Sequence, residues 1–132
     1  MQYSKVLELA FQAQENAYAP YSNFKIGACA LMSDGTYFLG ANIENCAYGS
    51  TMCGERVAIF SAYANGYRKE DFVALAIVSS CEPAATPCGS CRQVISELLC
   101  EDTPIILANS MSNFVVTNAK ELLPSAFTKE RL

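Results

Sequence analysis

Apolar residues near the start of the chain recur at helical intervals. Tyr3, Val6, Leu7, Ala10, Phe11 and Ala17 share one stripe, which predicts a helix over 3–17 that "YAPYS" stops at Pro20. The period then changes. "KIGACALM" and "TYFLGAN" flank the turn "SDG", the layout of a β-hairpin. "GERVAIFSAYANG" reads as a helix over 54–66, with Gly66 suited to the left-handed conformation that ends helices. "FVALAIVS", from Phe72, is apolar without interruption and partly β-branched, as a central strand covered on both faces would be. After the loop "SCEPAATP" comes a helix over about 88–100, its core face carried by Val94, Ile95, Leu98 and Leu99. "PIILANS" and "NFVVTN" are two further strands. The short helix "AKELL" stops at Pro124, before the tail "SAFTKERL".

A buried strand, a helix and another strand in succession predict a parallel pair joined by a crossover. The hairpin adds antiparallel pairing, so the sheet is expected to be mixed, with helices on both faces. No repeat, low-complexity tract or linker divides the chain, and residues 1–132 are expected to form one domain.

Composition narrows the class. Apolar residues make up 52% and charged residues 17%, as in a compact globule. Nine basic residues against thirteen acidic ones leave a net charge of -4, which disfavours a nucleic-acid footprint. No apolar stretch is long enough to span a bilayer, and the first residues lack the layout of a secretory signal, so a cytoplasmic protein without membrane attachment is expected. Histidine is absent. That removes Ser-His-Asp and Cys-His catalysis and every histidine-ligated metal site.

The seven cysteines are an odd number in an expected reducing compartment, which argues against a disulfide framework. Cys29 lies in the apolar run "IGACALM" and reads as a packing residue. Cys46, Cys81 and Cys100 have no partner at a recognisable spacing and are assigned to packing too. Cys88 and Cys91 differ. They form a C-x-x-C unit at the head of a helix, where backbone amides and the helix dipole favour thiolate. Cys53 heads the other helix and receives the same assistance. Three chemistries fit these thiols: a dithiol redox pair, a structural four-cysteine zinc site completed by Cys46, Cys81 or Cys100, or a catalytic zinc with three protein ligands and one open position. The loop "EPAATP", standing where a redox motif usually has a strand, weighs against the first.

Glu55 bears on this choice. A glutamate in the first turn of a helix is ordinarily a solvated residue that complements the dipole. Here it stands two residues from Cys53, beside Arg56, and enters the apolar run "VAIF". A carboxylate next to an activated water can remove its proton and return it to a substrate atom.

The segments "AYAPYSNFKIGA", "NIENCAYG", "CGER", "PCGSCRQVISEL" and "ELLPSAF" together resemble, in order and nearly end to end, the small all-cysteine type of cytidine deaminase. The motif of a first ligand, any residue, Glu, and later P-C-x-x-C is the known signature of the zinc nucleobase deaminases. The resemblance implies a three-layer α/β/α sandwich with a mixed five-stranded sheet and one Zn²⁺ per chain held by Cys53, Cys88 and Cys91. It implies Glu55 as proton shuttle, a homotetramer with its sites at subunit interfaces, and hydrolysis of cytidine and deoxycytidine to uridine, deoxyuridine and ammonia in pyrimidine salvage. By the same resemblance Phe24 packs near the base, and Asn42 and Glu44 bind the ribose hydroxyls. Tyr48 and Phe127 approach the site across subunit contacts. Gly54 stands where alanine is common, in a role carried by its backbone.

Three thiolates exceed the zinc charge by one, which weakens the metal as a Lewis acid. The two helix N-termini and Arg56, placed to reach a ligand sulfur, are the expected compensation. No glycine-rich loop or cluster of cations offers a phosphate clamp, so a free nucleoside is favoured over a nucleotide. A deaminase of a nucleoside-like antibiotic, a structural-zinc module without turnover and a dithiol redox protein are the alternatives.

Overall fold

The computed structural model describes residues 3–131. Its centre is the apolar strand β3 (Phe72–Val78), reached after α1 (Ser4–Gln14), β1 (Gly27–Met32), β2 (Tyr37–Ala41) and α2 (Gly54–Ala64). Then follow α3 (Gly89–Leu98), β4 (Ile105–Ala108), β5 (Phe114–Thr117) and α4 (Ala119–Leu122). The sheet has five strands in the order β2-β1-β3-β4-β5. β3 and β4 are parallel across the α3 crossover, with Leu75 opposite Ile105 and Val78 opposite Ala108. The other pairs are antiparallel. This is the mixed five-stranded sheet expected.

Alternation along the strands sorts side chains onto two faces. Cys29, Ala74, Ala76, Val78, Ile106 and Ala108 cluster with Val6, Leu7 and Ala10 of α1. Their small size lets α1 settle close to the sheet. A Cβ on Gly27 would lie 2.0 Å from the Ala10 carbonyl oxygen, so β1 must carry glycine there. The opposite face bears Met32, Leu75, Ile77, Ile105 and Leu107, which pack with Ala58 and Ile59 of α2, Ile95 of α3, and Ala119 and Leu122 of α4. The result is the three-layer α/β/α sandwich.

Two close approaches fix the end of the sheet where the cysteines gather. Gly40 of β2 sits under α2, and a Cβ there would lie 2.2 Å from the Gly54 carbonyl oxygen and 2.6 Å from the Ala58 nitrogen. Gly54 in turn faces the Ile26 oxygen and the backbone of Ala41 and Asn42 at 3.2–3.3 Å from its own Cβ position. The start of α2 therefore rests on the C-terminal end of β2. That end adjoins the C-terminal end of β3, because Gly27 pairs with both Ala41 and Val78. In sheets with parallel strands, sites form at this carboxyl edge.

The first helix is shorter than its apolar stripe. It ends at Gln14 because the chain turns there to run beside another segment: the Tyr18 amide donates to the Asn42 oxygen, and the Glu44 amide to the Tyr18 oxygen. Ala17 is left outside the helix. Gly66 has φ +93°, as its reading as a helix terminator requires.

Candidate metal centre

Two loops and two helix ends converge on three sulfurs. Cys53 is the N-cap of α2 and Cys88 the N-cap of α3, with Cys91 in the first turn of α3. Their Sγ atoms all lie within 4.8 Å of one another. Cys53 Sγ is 3.8 Å from Cys88 Sγ, and Cys88 Sγ 3.4 Å from Cys91 Sγ. A tetrahedral zinc with Zn–S bonds of about 2.3 Å separates its sulfurs by about 3.8 Å. The sulfurs are thus already spaced for a zinc ion, with one vertex of the tetrahedron not supplied by cysteine. Among the described residues Cys46, Cys81 and Cys100 stand outside this group. Cys81 donates instead to the Pro83 oxygen and Cys100 to the Lys69 oxygen. All seven cysteines are free thiols.

The loop before α3 is held by Arg92. Its Nε donates to the Pro87 oxygen at 2.8 Å, one Nη to the Thr86 hydroxyl and the other to the Leu122 oxygen at the end of α4. The loop that leads into Cys88 is thereby tied through Arg92 to the end of α4. The loop before α2 is held by a backbone bridge between Ile43 and Met52, each amide donating to the other's oxygen at 3.0 Å. Cys53 follows Met52 directly.

Electrostatics favour anionic sulfur. The Cys53 thiol is brought down to about 5, first by the hydrogen bond it receives from Cys91 and then, against the cost of burial, by the Arg56 guanidinium. Arg56 Nη2 donates to Cys53 Sγ at 3.2 Å. Cys91 is pushed up, first by its hydrogen bond to Cys53, then by burial and by the neighbouring Glu55 charge. A divalent cation bound here would take thiolate ligands, and its binding would release the protons that the sulfurs still carry.

Glu55 lies beside this cluster. It is 4% exposed, and burial raises its carboxyl above the usual glutamate value. The neighbouring Cys53 charge pushes the same way, while Arg56 opposes it. A carboxyl whose proton affinity is raised in this way is suited to accept a proton and return it.

The remaining expected residues fall into two groups. Asn42 and Glu44 are buried, and both are engaged with the chain itself. Asn42 Oδ1 accepts from the Ile26 amide at 2.9 Å, and its Nδ2 donates to the Phe24 oxygen at 2.7 Å. Glu44 Oε1 accepts from the amides of Tyr21 and Ser22, and its Oε2 from the Ser22 hydroxyl. These bonds hold Glu44 below the ordinary carboxylate range, the Ser22 hydroxyl contributing most. Phe24, Tyr48 and Phe127 are instead exposed, at 42%, 56% and 58%. Tyr48 meets Tyr21 edge-on at 6.5 Å. Gln93 Nε2 donates to the Phe127 backbone oxygen at 2.8 Å, which fixes the tail on α3 and leaves the ring free.

Residues 1–107 match the model of the cytidine and deoxycytidylate deaminase zinc-binding region. The chain belongs to the cytidine deaminase family. It is 48% identical over 125 residues to a cytidine deaminase of Halalkalibacterium halodurans, covering 95% of this chain and 93% of that protein. With a cytidine deaminase of Sporosarcina psychrophila it shares 45% identity over 132 residues, 100% of this chain and 96% of that one. The crystal structure of cytidine deaminase from Burkholderia pseudomallei superposes with a TM-score of 0.92 at 46% identity, over 96% of this chain and all of that one.

Ser22, Arg92 and Gln93 were not singled out by the sequence reading. Each acts on residues tens of positions away or on a loop backbone, and no local spacing marks such a contact. Only the placement of Arg92 and Gln93 directly after Cys91, on a helix that must receive the tail, hints at their use.

Proposed function

We propose that this member of the cytidine deaminase family is a zinc-dependent enzyme that hydrolyses cytidine and deoxycytidine to uridine and deoxyuridine, releasing ammonia. The observation that carries the reading is the buried Glu55, set two residues from Cys53 beside three sulfurs spaced for a tetrahedral zinc. Family membership and the names of relatives at 48% and 45% identity support the same substrate.

Cys53, Cys88 and Cys91 would hold the zinc, which when bound supplies a Lewis acid able to bring the pKa of water to about 7. Glu55 takes a proton from the attacking water and delivers it to ring nitrogen N3 as the oxygen adds to C4. The carboxylate then takes the proton of the new C4 hydroxyl and passes it to the exocyclic amine, which leaves as ammonia as the C4–N bond breaks and the C4 carbonyl forms. Arg56 stabilises anionic Cys53 through the Nη2 bond, offsetting the excess negative charge of three thiolates. Phe24 would border the base. Asn42 and Glu44 would meet the ribose with the acceptor and donor capacity that their bonds to residues 21–26 leave over, and the Gly54 backbone would lie beside the base.

The working form is a homotetramer in which Tyr48 and Phe127 reach a neighbouring subunit's site; their large exposed rings support this. Seven unbridged thiols favour the cytoplasm. Purified protein should consume cytidine, followed by ultraviolet absorbance, and carry one zinc per chain in metal analysis of the same sample. Zinc-replete protein without turnover would leave a structural module instead. An X-ray absorption spectrum with four sulfurs around the metal would close the open position and end the proposal.

A further inference from the structure

The segment carrying Phe24 has almost no apolar anchorage, since residues 20–25 are all exposed. Asn23, within it, adopts φ 58°, in the left-handed region that a non-glycine residue enters at a cost. Something must hold it, and the structure shows what. The Ser22 hydroxyl donates to Glu44 Oε2 and accepts from the Phe24 amide at 3.0 Å. The Glu44 carboxylate also takes the amides of Tyr21 and Ser22 at 3.0 and 3.1 Å. On the far side the Phe24 carbonyl is held by Asn42 Nδ2 at 2.7 Å. Both polar groups of the Phe24 backbone are thus bound, one through Ser22 and one through Asn42.

This segment is continuous with the metal centre. The Ile26 oxygen, two residues beyond Phe24, lies against Gly54 between Cys53 and Glu55. Glu44 follows Ile43, which is bridged to Met52 beside Cys53. A shift of residues 21–26 would therefore be felt at Gly54, between Cys53 and Glu55, without touching a sulfur.

We propose that Ser22 is a positioning residue for nucleoside binding, its hydroxyl relaying the Glu44 carboxylate to the Phe24 amide and so fixing the aromatic ring at the mouth of the site; the proposal rests on the nucleoside deaminase reading above. A carboxylate has about four acceptor positions. Three of Glu44's are occupied by Tyr21 and Ser22, which leaves capacity for about one substrate hydroxyl. The same carboxylate can then hold the loop and the sugar together, so that ordering one orders the other. Hydrogen bonds to ionised groups are the stronger class, which suits a clamp on an otherwise solvated loop.

The test uses the zinc-loaded, full-length protein in three forms: wild type, Ser22→Ala and Ser22→Thr. Ser22→Ala should raise the KM for cytidine by roughly tenfold, equivalent to about 1.4 kcal/mol, with kcat and zinc content changing far less. Hydrogen–deuterium exchange of peptides covering residues 20–26 should accelerate in the same variant. Ser22→Thr, which keeps the hydroxyl, should return both readouts towards wild type. Unchanged exchange in Ser22→Ala overturns the proposal whatever happens to KM, because the loop would then be held without the relay. Faster exchange with unchanged KM overturns it too, by severing the loop from substrate binding. A proportionate loss of kcat, or loss of zinc, would place the effect at the metal centre and reject a positioning role. If wild type fails to turn over cytidine, the deaminase reading falls on that result alone, whereas the exchange comparison still decides whether Ser22 clamps the loop.

Discussion

Glu55 derives its chemistry from burial. At the first turn of a helix a glutamate is ordinarily solvated and firmly ionised, but this one is enclosed between α2 and the cysteine cluster, and its carboxyl is raised from the usual 4.5. In the proposed role of general base it must be deprotonated to act, so lowering the pH through its raised pKa should remove activity. The acid limb of the kcat/KM profile should accordingly lie above the ordinary glutamate range. Glu55→Gln preserves shape and zinc but cannot move a proton; turnover should fall by roughly 10²- to 10⁴-fold or more. Steady-state kinetics with metal analysis checks this, and near-normal activity in a zinc-replete Gln variant would remove Glu55 from the shuttle role. Arg56 has the complementary task. Its Nη2 is the cation at Cys53 Sγ, while its Nε is buried without a partner among the described residues. Arg56→Gln should cost about 10- to 100-fold in zinc affinity or activity, the usual range for groups that support metal ligands. If competition with a zinc chelator and turnover both match wild type, the thiolate charge is balanced elsewhere.

Most of the architecture could be read from the sequence at the level of the element. The unbroken apolar run 72–78 is the central strand because α1 covers one of its faces and α2 and α3 the other. The hairpin follows from two apolar runs flanking the turn "SDG", and the crossover from a strand–helix–strand succession. The cysteines were legible for a related reason: a helix N-terminus shows in sequence, and so does a ligand placed on it. What stayed hidden is pairing between irregular segments. Asn42 and Glu44 look like free polar groups in "NIEN", and only the fold shows them bound to residues 21–26. The early end of α1 at Gln14 has the same origin, since residue 18 is taken into a bridge with Ile43. Gly40 illustrates the link from element to site. Its missing side chain lets α2 rest on β2, and a methyl group there would collide with backbone rather than with a side chain that could rotate away. Gly40→Ala should therefore destabilise the fold by about 1–3 kcal/mol or more, read from a lower midpoint in urea, and should reduce zinc occupancy by displacing Cys53. A wild-type midpoint with full zinc would mean that the helix can retreat at no cost.

At the scale of the whole molecule, the question is where Phe127 belongs. Its backbone is fastened to its own chain by Gln93 on α3, yet its ring is 58% exposed, and the tail after α4 offers little apolar surface to receive it. An aromatic side chain can bury roughly 150–250 Å², so leaving it in water is unfavourable where a neighbouring surface is within reach. In the proposed tetramer that surface is the substrate pocket of another subunit, with the anchored backbone presenting the ring outward. Phe127→Ala should then raise the KM for cytidine while leaving zinc content unchanged, because the ring is not part of the sulfur cluster. Mixing Phe127→Ala chains with Glu55→Gln chains separates the two possible destinations. If the ring serves a neighbour, a hybrid assembly contains sites that combine an intact Glu55 from one chain with an intact Phe127 from another, and part of the low-KM activity returns. If it serves its own chain, every site in the hybrid lacks one or the other, and the kinetics equal the sum of the two parents. Native mass spectrometry verifies the hybrids before assay, and parental kinetics in verified hybrids would assign Phe127 to its own subunit or to no site.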